Sequence, residues 1–544
     1  MIEGFIPWPA EAAERYRREG YWEDLTVTDV VFQRCDAFPD RTAVIDGDRA
    51  LSYGELKQRV EQLAAQFVLS GIEPEDRVVV QLPNTIEFVL VYLALVRTGA
   101  IPVMALPAHR QREVEHFVST ANARALITTD IYRKFDFRPM AEAVRSAVPS
   151  LKHVFILGEP LAGQISLHDM LQAELSEEEL TKCASQYQTP PDSVATMLLS
   201  GGTTSLSKLI PRTHNDYVLN AKLCGEVAGF GPETVFLAIL PLGHNYNLAS
   251  PGILGVFYYG GTVVVSQDLK TEAVFSLVEK HGVTVIAAAV PLITRWLASR
   301  DEIARFDLSS LRVIQNGGAK LAPELRRRLQ SSLGCTPQEI YGTAEGLVNM
   351  TRLDDPEELI LESSGAPVCE ADEIKVLGED GQELPDGETG ELVVRGPYTI
   401  CGYFNAPEKN ETAFTADGFY RMGDAVRKEG RYVYCDGRKQ DLINRGGEKI
   451  SCDEIESIIL EHPKVELAAV VAMPDPEFGE KGCAFVQLKD DETLTLEELV
   501  SFLKQQGIAS FKFPERLEVQ EQLPLSPVGK VLKKELRAMV TEEA

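Results

Sequence analysis

The sequence predicts an α/β protein in which a large N-terminal domain (1–436) with largely parallel sheets covered by helices precedes a small α+β domain (437–544). Three observations predict it. Short β-branched runs alternate with helical stretches through residue 436; 544 residues exceed what one ordinary core accommodates; and past a Gly/Arg/Lys-rich stretch at 436–440 the pattern restarts with its own strands and helices.

In order, residues 53–70 carry apolar side chains at helical spacing, 77–82 (RVVVQL) form a strand, and 85–98 are helical again. Strand-like runs recur at 125–128, 154–157, 235–240 and 262–265, and 283–290 (VTVIAAAV) is a buried strand, too short to span a membrane. The run 311–314 leads into a glycine-containing loop at 315–320. Repeated β–α alternation implies parallel sheets with ligands at the carboxyl ends of the strands. Beyond a short strand at 432–434 and a turn at 436–440, strands are expected at 442–443, 466–471 and 483–488 and helices at 453–461 and 496–506.

A composition of 44% hydrophobic and 25% charged residues is that of a globular chain, and the formal net charge of −28 opposes nonspecific nucleic-acid binding. Nine cysteines are scattered without a C-x-x-C pair, which favours free thiols over a disulfide framework or zinc site. The N-terminus lacks the basic-then-apolar pattern of a signal peptide, and no apolar run reaches membrane-spanning length, so the expected location is the cytoplasm with no membrane partner.

The most informative stretch is 199–208 (LSGGTTSLSK), which directly follows the apolar 194–199. Adjacent glycines and hydroxyls after a strand turn backbone N–H groups toward one point, and Lys208 adds a mobile positive charge, which together suit a polyphosphate. It is not the Walker pattern, because Leu209 follows Lys208 and no glycine precedes it. Three further segments fit a nucleotide. In 315–320 (QNGGAK), glycines permit close approach to a flat ring; 340–345 (IYGTAE) offers an aromatic face and a carboxylate; and 419–424 (FYRMGD) with 436–441 (DGRKQD) supplies acids and an arginine for sugar hydroxyls.

With 387–391 (GETGE), 395–397 (RGP), 444–449 (NRGGEK) and 524–530 (PLSPVGK), these segments resemble, in order and spacing over essentially the whole chain, the AMP-forming adenylating superfamily. That superfamily comprises acyl-CoA and aryl-CoA synthetases, nonribosomal peptide adenylation domains and luciferases. The opening 4–9 (GFIPWP) and 16–22 (YRREGYW) look like aryl-acid ligases that feed siderophore assembly, and 241–252 (PLGHNYNLASPG) is similar to the substrate-pocket motif of 2,3-dihydroxybenzoate adenylating enzymes.

The resemblance implies roles residue by residue. Lys530 contacts the α-phosphate, Glu345 holds Mg²⁺, and Ser200, Gly201, Gly202, Thr203, Thr204 and Lys208 cradle phosphates. Gly317, Gly318, Ala319, Tyr341, Gly342 and Thr343 surround the adenine, with Tyr341 stacked on it, while Asp424 and Arg438 bind the ribose. Asn245, Tyr246, Ser250, Gly318 and Val348 line the acid pocket, and Gly446, Gly447 and Lys449 line a phosphopantetheine tunnel. The small domain becomes a lid that rotates between two half-reactions on a pivot at Gln440, Lys439 or Asp441. Three positions depart from the superfamily's commonest form: Ser205 stands where glycine is usual, Ser207 where proline is, and Gln440 where an acid or lysine is.

The acid pocket carries the specificity. No Asp or Glu lies between Leu242 and Pro251, so a substrate ammonium would be buried without a counter-ion, which disfavours amino acids. The Asn245 amide can bond a hydroxyl ortho to an aromatic carboxylate, with Tyr246 against the ring. Ser250 and the small Val348 match dihydroxybenzoate enzymes rather than salicylate enzymes; alternatively Ser250 caps the helix after Pro251. His244 is either a pocket gate that takes part in catalysis or a buried, hydrogen-bonded core histidine.

The expected activity is ATP- and Mg²⁺-dependent conversion of 2,3-dihydroxybenzoate, or salicylate, to the aryl-AMP, followed by transfer to the phosphopantetheine thiol of an aryl carrier protein supplied in trans. Lys512, Lys533, Lys534 and Arg537 are expected to form a basic surface for that carrier. The alternative is an aryl-CoA ligase that uses free CoA.

Overall fold

The computed structural model describes residues 2–187, 189–200, 207–438, 441–445, 448–475, 478–506, 510–526 and 529–541. Two large sheets organise the first four hundred of these. In the nine-stranded sheet Thr42–Asp46, Thr262–Val265, Val235–Ala238, Val285–Ala288, Val313–Gly317 and Thr336–Thr343 run parallel, Gly346–Met350 and then Ala366–Pro367 add antiparallel pairs at one edge, and Arg49–Ser52 adds one at the other. In the seven-stranded sheet Val194–Leu199, Ile101–Met104, Arg77–Gln81, Ala125–Thr129, His153–Leu157 and Ile165–Ser166 are parallel, with Leu209–Thr213 antiparallel at one end.

Strand periodicity sorts the core into layers, because successive side chains point to opposite faces. Val78 and Val80 join Phe236, Ala238 and Val263 in one central core between the sheets. Val79 points instead into the outer core of the seven-stranded sheet, and Leu237 into that of the nine-stranded sheet. The helix Ile86–Thr98, apolar all round, fills the central layer as such a helix must. The Thr85 hydroxyl accepts from the Phe88 N–H to start it, and Gly99, at φ +79°, ends it.

A four-stranded antiparallel sheet, Glu373–Leu377, Thr389–Arg395, Tyr420–Glu429 and Tyr432–Arg438, leads into a five-stranded one. There Leu442–Arg445, Glu448–Ser451, Val465–Asp475 and Gly479–Leu488 pair antiparallel, and Arg516–Val519 adds a parallel strand. The helices Cys452–Ile459 and Leu496–Gln505 cover one face, and Lys533–Thr541 covers the other through Leu536 and Val540. The chain is thus α/β, as predicted.

Of the boundaries that differ, two have a physical reason that bears on the site. The strand expected to end at 314 runs to Gly317, because the amides of Gln315 and Asn316 are buried against the side chains of Gln338 and Glu339 rather than solvated in a loop. The strand expected to stop at 434 continues to Arg438. Gly437, at φ +116°, makes an irregularity in the ladder rather than a turn, and a Cβ there would lie 3.0 Å from the Asp453 carboxylate.

All nine cysteines are unpaired, and all but Cys401 are buried. Among the described residues no helix is long and apolar enough to cross a membrane, and no group of three His, Cys, Asp or Glu side chains is placed to hold a metal.

Candidate active site

The carboxyl ends of Val235–Ala238, Val285–Ala288, Val313–Gly317 and Thr336–Thr343 lie along one edge of the sheet, and Gly317, Gly318, Ala319, Tyr341, Gly342, Thr343 and Glu345 lie on or just beyond two of them. Gly317 is buried at the end of its strand, where a Cβ would come within 2.9 Å of the Tyr246 ring. Gly318, at φ +91°, and Ala319 are exposed, and the Ala319 carbonyl is tied back by the Asn316 amide at 2.7 Å. A Cβ on Gly318 would lie 3.3 Å from Cε of Lys530.

That contact joins the far end of the chain to the large domain. The Lys530 loop closes on itself, since the Ser526 N–H donates to the Lys530 carbonyl at 2.7 Å and the Lys530 N–H to Ser526 Oγ at 3.0 Å. Gly529 packs against Pro291. His244 lies close by, and its Nδ1 accepts from the Tyr246 N–H, capping the short helix Asn245–Ala249. Burial, and then the positive charge of Lys530, push the imidazole down to about 4, so it is neutral at physiological pH. His244 therefore has features of both expectations: it is hydrogen-bonded like a core histidine and stands beside Lys530.

Tyr341 and Asp424 meet directly, the phenol donating to Asp424 Oδ2 at 2.6 Å. Asp424 is buried, and the strand ladder sets it opposite Arg438. Gly342 opposes Val348 across the ladder, where a Cβ would strike the Leu347 carbonyl at 2.4 Å. The Thr343 hydroxyl donates to the Gly346 carbonyl at 2.9 Å, closing the turn that presents Glu345. The buried Glu345 carboxylate accepts from the Tyr403 hydroxyl at 2.8 Å. Ser200 and Lys208 bracket the phosphate-suited loop by mutual hydrogen bonds, Ser200 N–H to the Lys208 carbonyl at 3.0 Å and Lys208 N–H to Ser200 Oγ at 2.9 Å.

Gly201, Gly202, Thr203, Thr204 and Ser205 lie outside the described residues, as do Lys439, Gln440, Gly446 and Gly447. Lys449 is described only as part of the strand Glu448–Ser451.

Where the acid pocket was expected, Asn245 is buried in a polar network. Its Oδ1 accepts from Tyr217 at 2.9 Å and its Nδ2 donates to Ser250 Oγ at 3.1 Å, which also accepts from Asn220. Ser250 is consequently not the N-cap of the helix Gly252–Tyr259, a position Pro251 holds; it is the C-cap residue of Asn245–Ala249, and its hydroxyl is turned toward the two amides. Tyr217, Tyr246 and Val348 share one apolar core. Gly317→Ala is expected to overpack the Tyr246 ring and raise KM for the acid about tenfold, with little change in KM for ATP; steady-state kinetics with each substrate varied checks this.

Several residues that organise the site were not anticipated. Arg212 and Asp216 form a fully buried ion pair at 2.7 Å. Arg212 also donates to the carbonyls of Ala344 at 2.9 Å and Tyr398 at 3.1 Å, gripping the turn that carries Glu345. A charged residue inside an apolar strand, with an acid four positions on, was the signal available. Tyr217, Asn220 and Tyr403, which hold pocket or turn groups, have no comparable signature.

Asp372 is another buried carboxylate, accepting from the Tyr398 hydroxyl at 2.6 Å. Burial raises it to about 7 against that hydrogen bond. The fold disfavours its ionised form, so its contribution to stability is full below its ordinary 3.8 and lost as pH rises through about 7. Asp372→Asn is expected to flatten that decline, worth at most about 4 kcal/mol, in urea midpoints measured from pH 4 to pH 8.

The basic surface expected around the C-terminal helix is corrected by the structure. Lys512 pairs with Glu454 at 2.6 Å, Lys533 with Glu456 at 2.7 Å and Asp453 at 3.0 Å, and Arg537 with Asp441. Three of the four cations are neutralised within the domain they were expected to advertise; Lys534 is exposed.

Comparison with known proteins places this geometry. The model of the AMP-binding enzyme family matches residues 31–404, and that of the AMP-binding enzyme C-terminal domain matches 454–530. A 2,3-dihydroxybenzoate-AMP ligase of Bacillus subtilis is 46% identical over 545 residues, covering 100% of this chain and 99% of that protein. A salicylyl-CoA synthase / salicylate adenylyltransferase of a Streptomyces species is 42% identical, covering 100% and 98%. Among solved structures, apo MbtA of Mycobacterium smegmatis is similar with a TM-score of 0.75 and 40% identity over 98% of both chains. With a full-length likeness and a site assembled at the strand ends, the chain belongs to the AMP-binding enzyme family.

Proposed function

We propose that this protein is an aryl-acid AMP ligase that activates 2,3-dihydroxybenzoate, with salicylate as the nearest rival substrate, for siderophore assembly. The observation that carries the reading is Lys530, brought from the C-terminal end to Gly318 and His244 beside the acid pocket. A carboxylate oxygen attacks the α-phosphorus of ATP, the bond to pyrophosphate breaks, and the protein must hold two anions together while charge gathers at one centre. Lys530 and Lys208 supply cations, Tyr341 and Asp424 hold the nucleoside, and Asn245, through the second N–H of its amide, meets the ortho hydroxyl.

The buried Glu345 carboxylate, a hard oxygen donor, fits Mg²⁺, which takes one or two carboxylates together with phosphate oxygens and water. When bound, the ion neutralises phosphate charge; Tyr403 orients the carboxylate for it. Neutral His244 can admit the acid without adding charge.

In this reading residues 1–436 form the adenylation core and 437–544 the mobile lid. Gly446, Gly447 and Lys449 serve the second step, in which a phosphopantetheine thiol displaces AMP. The acceptor is an aryl carrier protein; the likeness to a Streptomyces salicylyl-CoA synthase / salicylate adenylyltransferase favours free CoA as the second reading.

The test is acid-dependent ATP–pyrophosphate exchange with 2,3-dihydroxybenzoate, salicylate, benzoate and amino acids. Exchange should be fastest with 2,3-dihydroxybenzoate and absent with amino acids. Benzoate, which leaves an Asn245 N–H unpaired, should fall about 10- to 100-fold in kcat/KM. No exchange with any hydroxylated aromatic acid would refute the reading, and turnover with CoA against a carrier protein separates the acceptors.

A further inference from the structure

The backbone between Glu345 and Val348 is unusual. Gly346 has φ +133° and Leu347, a residue with a side chain, has φ +48°. A non-glycine residue in that region costs about 1 kcal/mol or more and persists only where its surroundings hold it. The hold is the loop 396–400. The Val348 N–H donates to the Tyr398 hydroxyl at 3.1 Å, and the Ile400 N–H donates to the Glu345 carbonyl at 2.8 Å. Thr399 packs so tightly on Gly346 that a Cβ there would lie 2.4 Å from its Cα.

The loop is itself gripped from outside. Trp8 Nε1 donates to the Gly396 carbonyl at 3.2 Å, and Trp22 Nε1 to the Pro397 carbonyl at 2.9 Å. The two indoles meet edge to face at 5.5 Å. Arg17 lies over the Trp22 ring and pairs with Asp24 and Asp192, and Asn215, at the start of the helix that follows Arg212, bonds the same two acids. This N-terminal arm precedes residue 31, where the match to the family begins.

We propose that the arm is a positioning clamp for the acid pocket: Trp8 and Trp22, acting through Tyr398, set the placement of the Val348 backbone and the Glu345 turn. The proposal rests on the aryl-acid reading of that pocket. Trp8, Trp22 and Tyr398 are positioning residues; none need touch substrate. Asp372 completes the device by accepting from the Tyr398 hydroxyl, which orients its lone pair toward Val348.

The test compares full-length wild type, Trp8→Phe/Trp22→Phe, Tyr398→Phe and Trp296→Phe in acid-dependent ATP–pyrophosphate exchange, with thermal midpoints alongside. Phenylalanine keeps an aromatic ring at each position; it removes the indole donors of Trp8 and Trp22 and, at Tyr398, the hydroxyl that accepts from Val348 and donates to Asp372. The third tryptophan, Trp296, is the control, because its indole N–H is buried in a different core with no hydrogen-bond partner among the described residues. Tyr398→Phe should raise KM for 2,3-dihydroxybenzoate about tenfold, and the double tryptophan variant about threefold to tenfold. The half-saturating Mg²⁺ concentration should rise in both, the preference for 2,3-dihydroxybenzoate over salicylate should narrow, and KM for ATP at saturating Mg²⁺ should stay put. A lowered thermal midpoint with unchanged acid KM and unchanged preference would overturn the clamp and leave the arm a mere structural strap. Exchange absent from wild type with every hydroxylated aromatic acid would instead overturn the functional reading, and the clamp with it.

Discussion

Lys530→Ala is expected to lower acid-dependent ATP–pyrophosphate exchange about 10³-fold, while thioester formation from supplied aryl-adenylate stays near the wild-type rate. The lysine sits on a loop closed by its own hydrogen bonds, with its side chain laid against Gly318. Its charge is thus delivered to the carboxyl end of the Val313–Gly317 strand, where the α-phosphate is proposed to lie. A group that stabilises charge only as the phosphorus is attacked lowers that barrier and leaves the later thiol step alone. A second readout is independent of turnover. Lys530 helps to depress His244, so removing it should let the imidazole rise from about 4, with burial still holding it below its usual value. Histidine NMR titration measures this. Near wild-type exchange in the variant would remove Lys530 from the reaction.

Arg212→Met should destabilise the large domain by about 3–5 kcal/mol, because it leaves the Asp216 carboxylate buried without its partner. Both side chains of this pair are fully buried, and the same guanidinium holds the carbonyls of Ala344 and Tyr398. Exchange should fall as well, since the turn that carries Glu345 loses its anchor. Chemical denaturation and kinetics at a temperature where the variant remains folded separate the two effects. Replacing both members, Arg212→Met with Asp216→Leu, should restore part of the stability, because an apolar pair carries no desolvation cost. Recovery should be incomplete. Asp216 also accepts from the N–H and hydroxyl of Thr213 to cap the helix His214–Val227, a role worth about 1 kcal/mol. A loss below about 1 kcal/mol in the single variant would mean that solvent reaches the pair.

Much of the architecture was legible because hydrophobic periodicity is a local property. The strands 77–82, 262–265 and 483–488 and the helices at 53–70 and 85–98 emerged within a residue or a few of their observed ends. Two of the readings that moved share one cause: a buried polar side chain looks in sequence like a solvated one. Gln315 and Asn316 suggested a loop, yet their amides pair with Gln338 and Glu339 inside the sheet. Lys512, Lys533 and Arg537 suggested an open basic face, yet acids from Glu454, Glu456, Asp453 and Asp441 meet them.

Glycine spacing and the order of the motifs were enough to indicate the family, because each depends on residue type along a short run. Partnership across the chain was another matter. Tyr341 with Asp424, Lys530 with Gly318, and Trp8 and Trp22 with the carbonyls of Gly396 and Pro397 are brought together by the folding of whole sheets. A hydrogen-bond donor has no preferred acceptor until burial removes water as its competitor, and which acceptor is then within reach depends on the packed layers rather than on neighbouring residues.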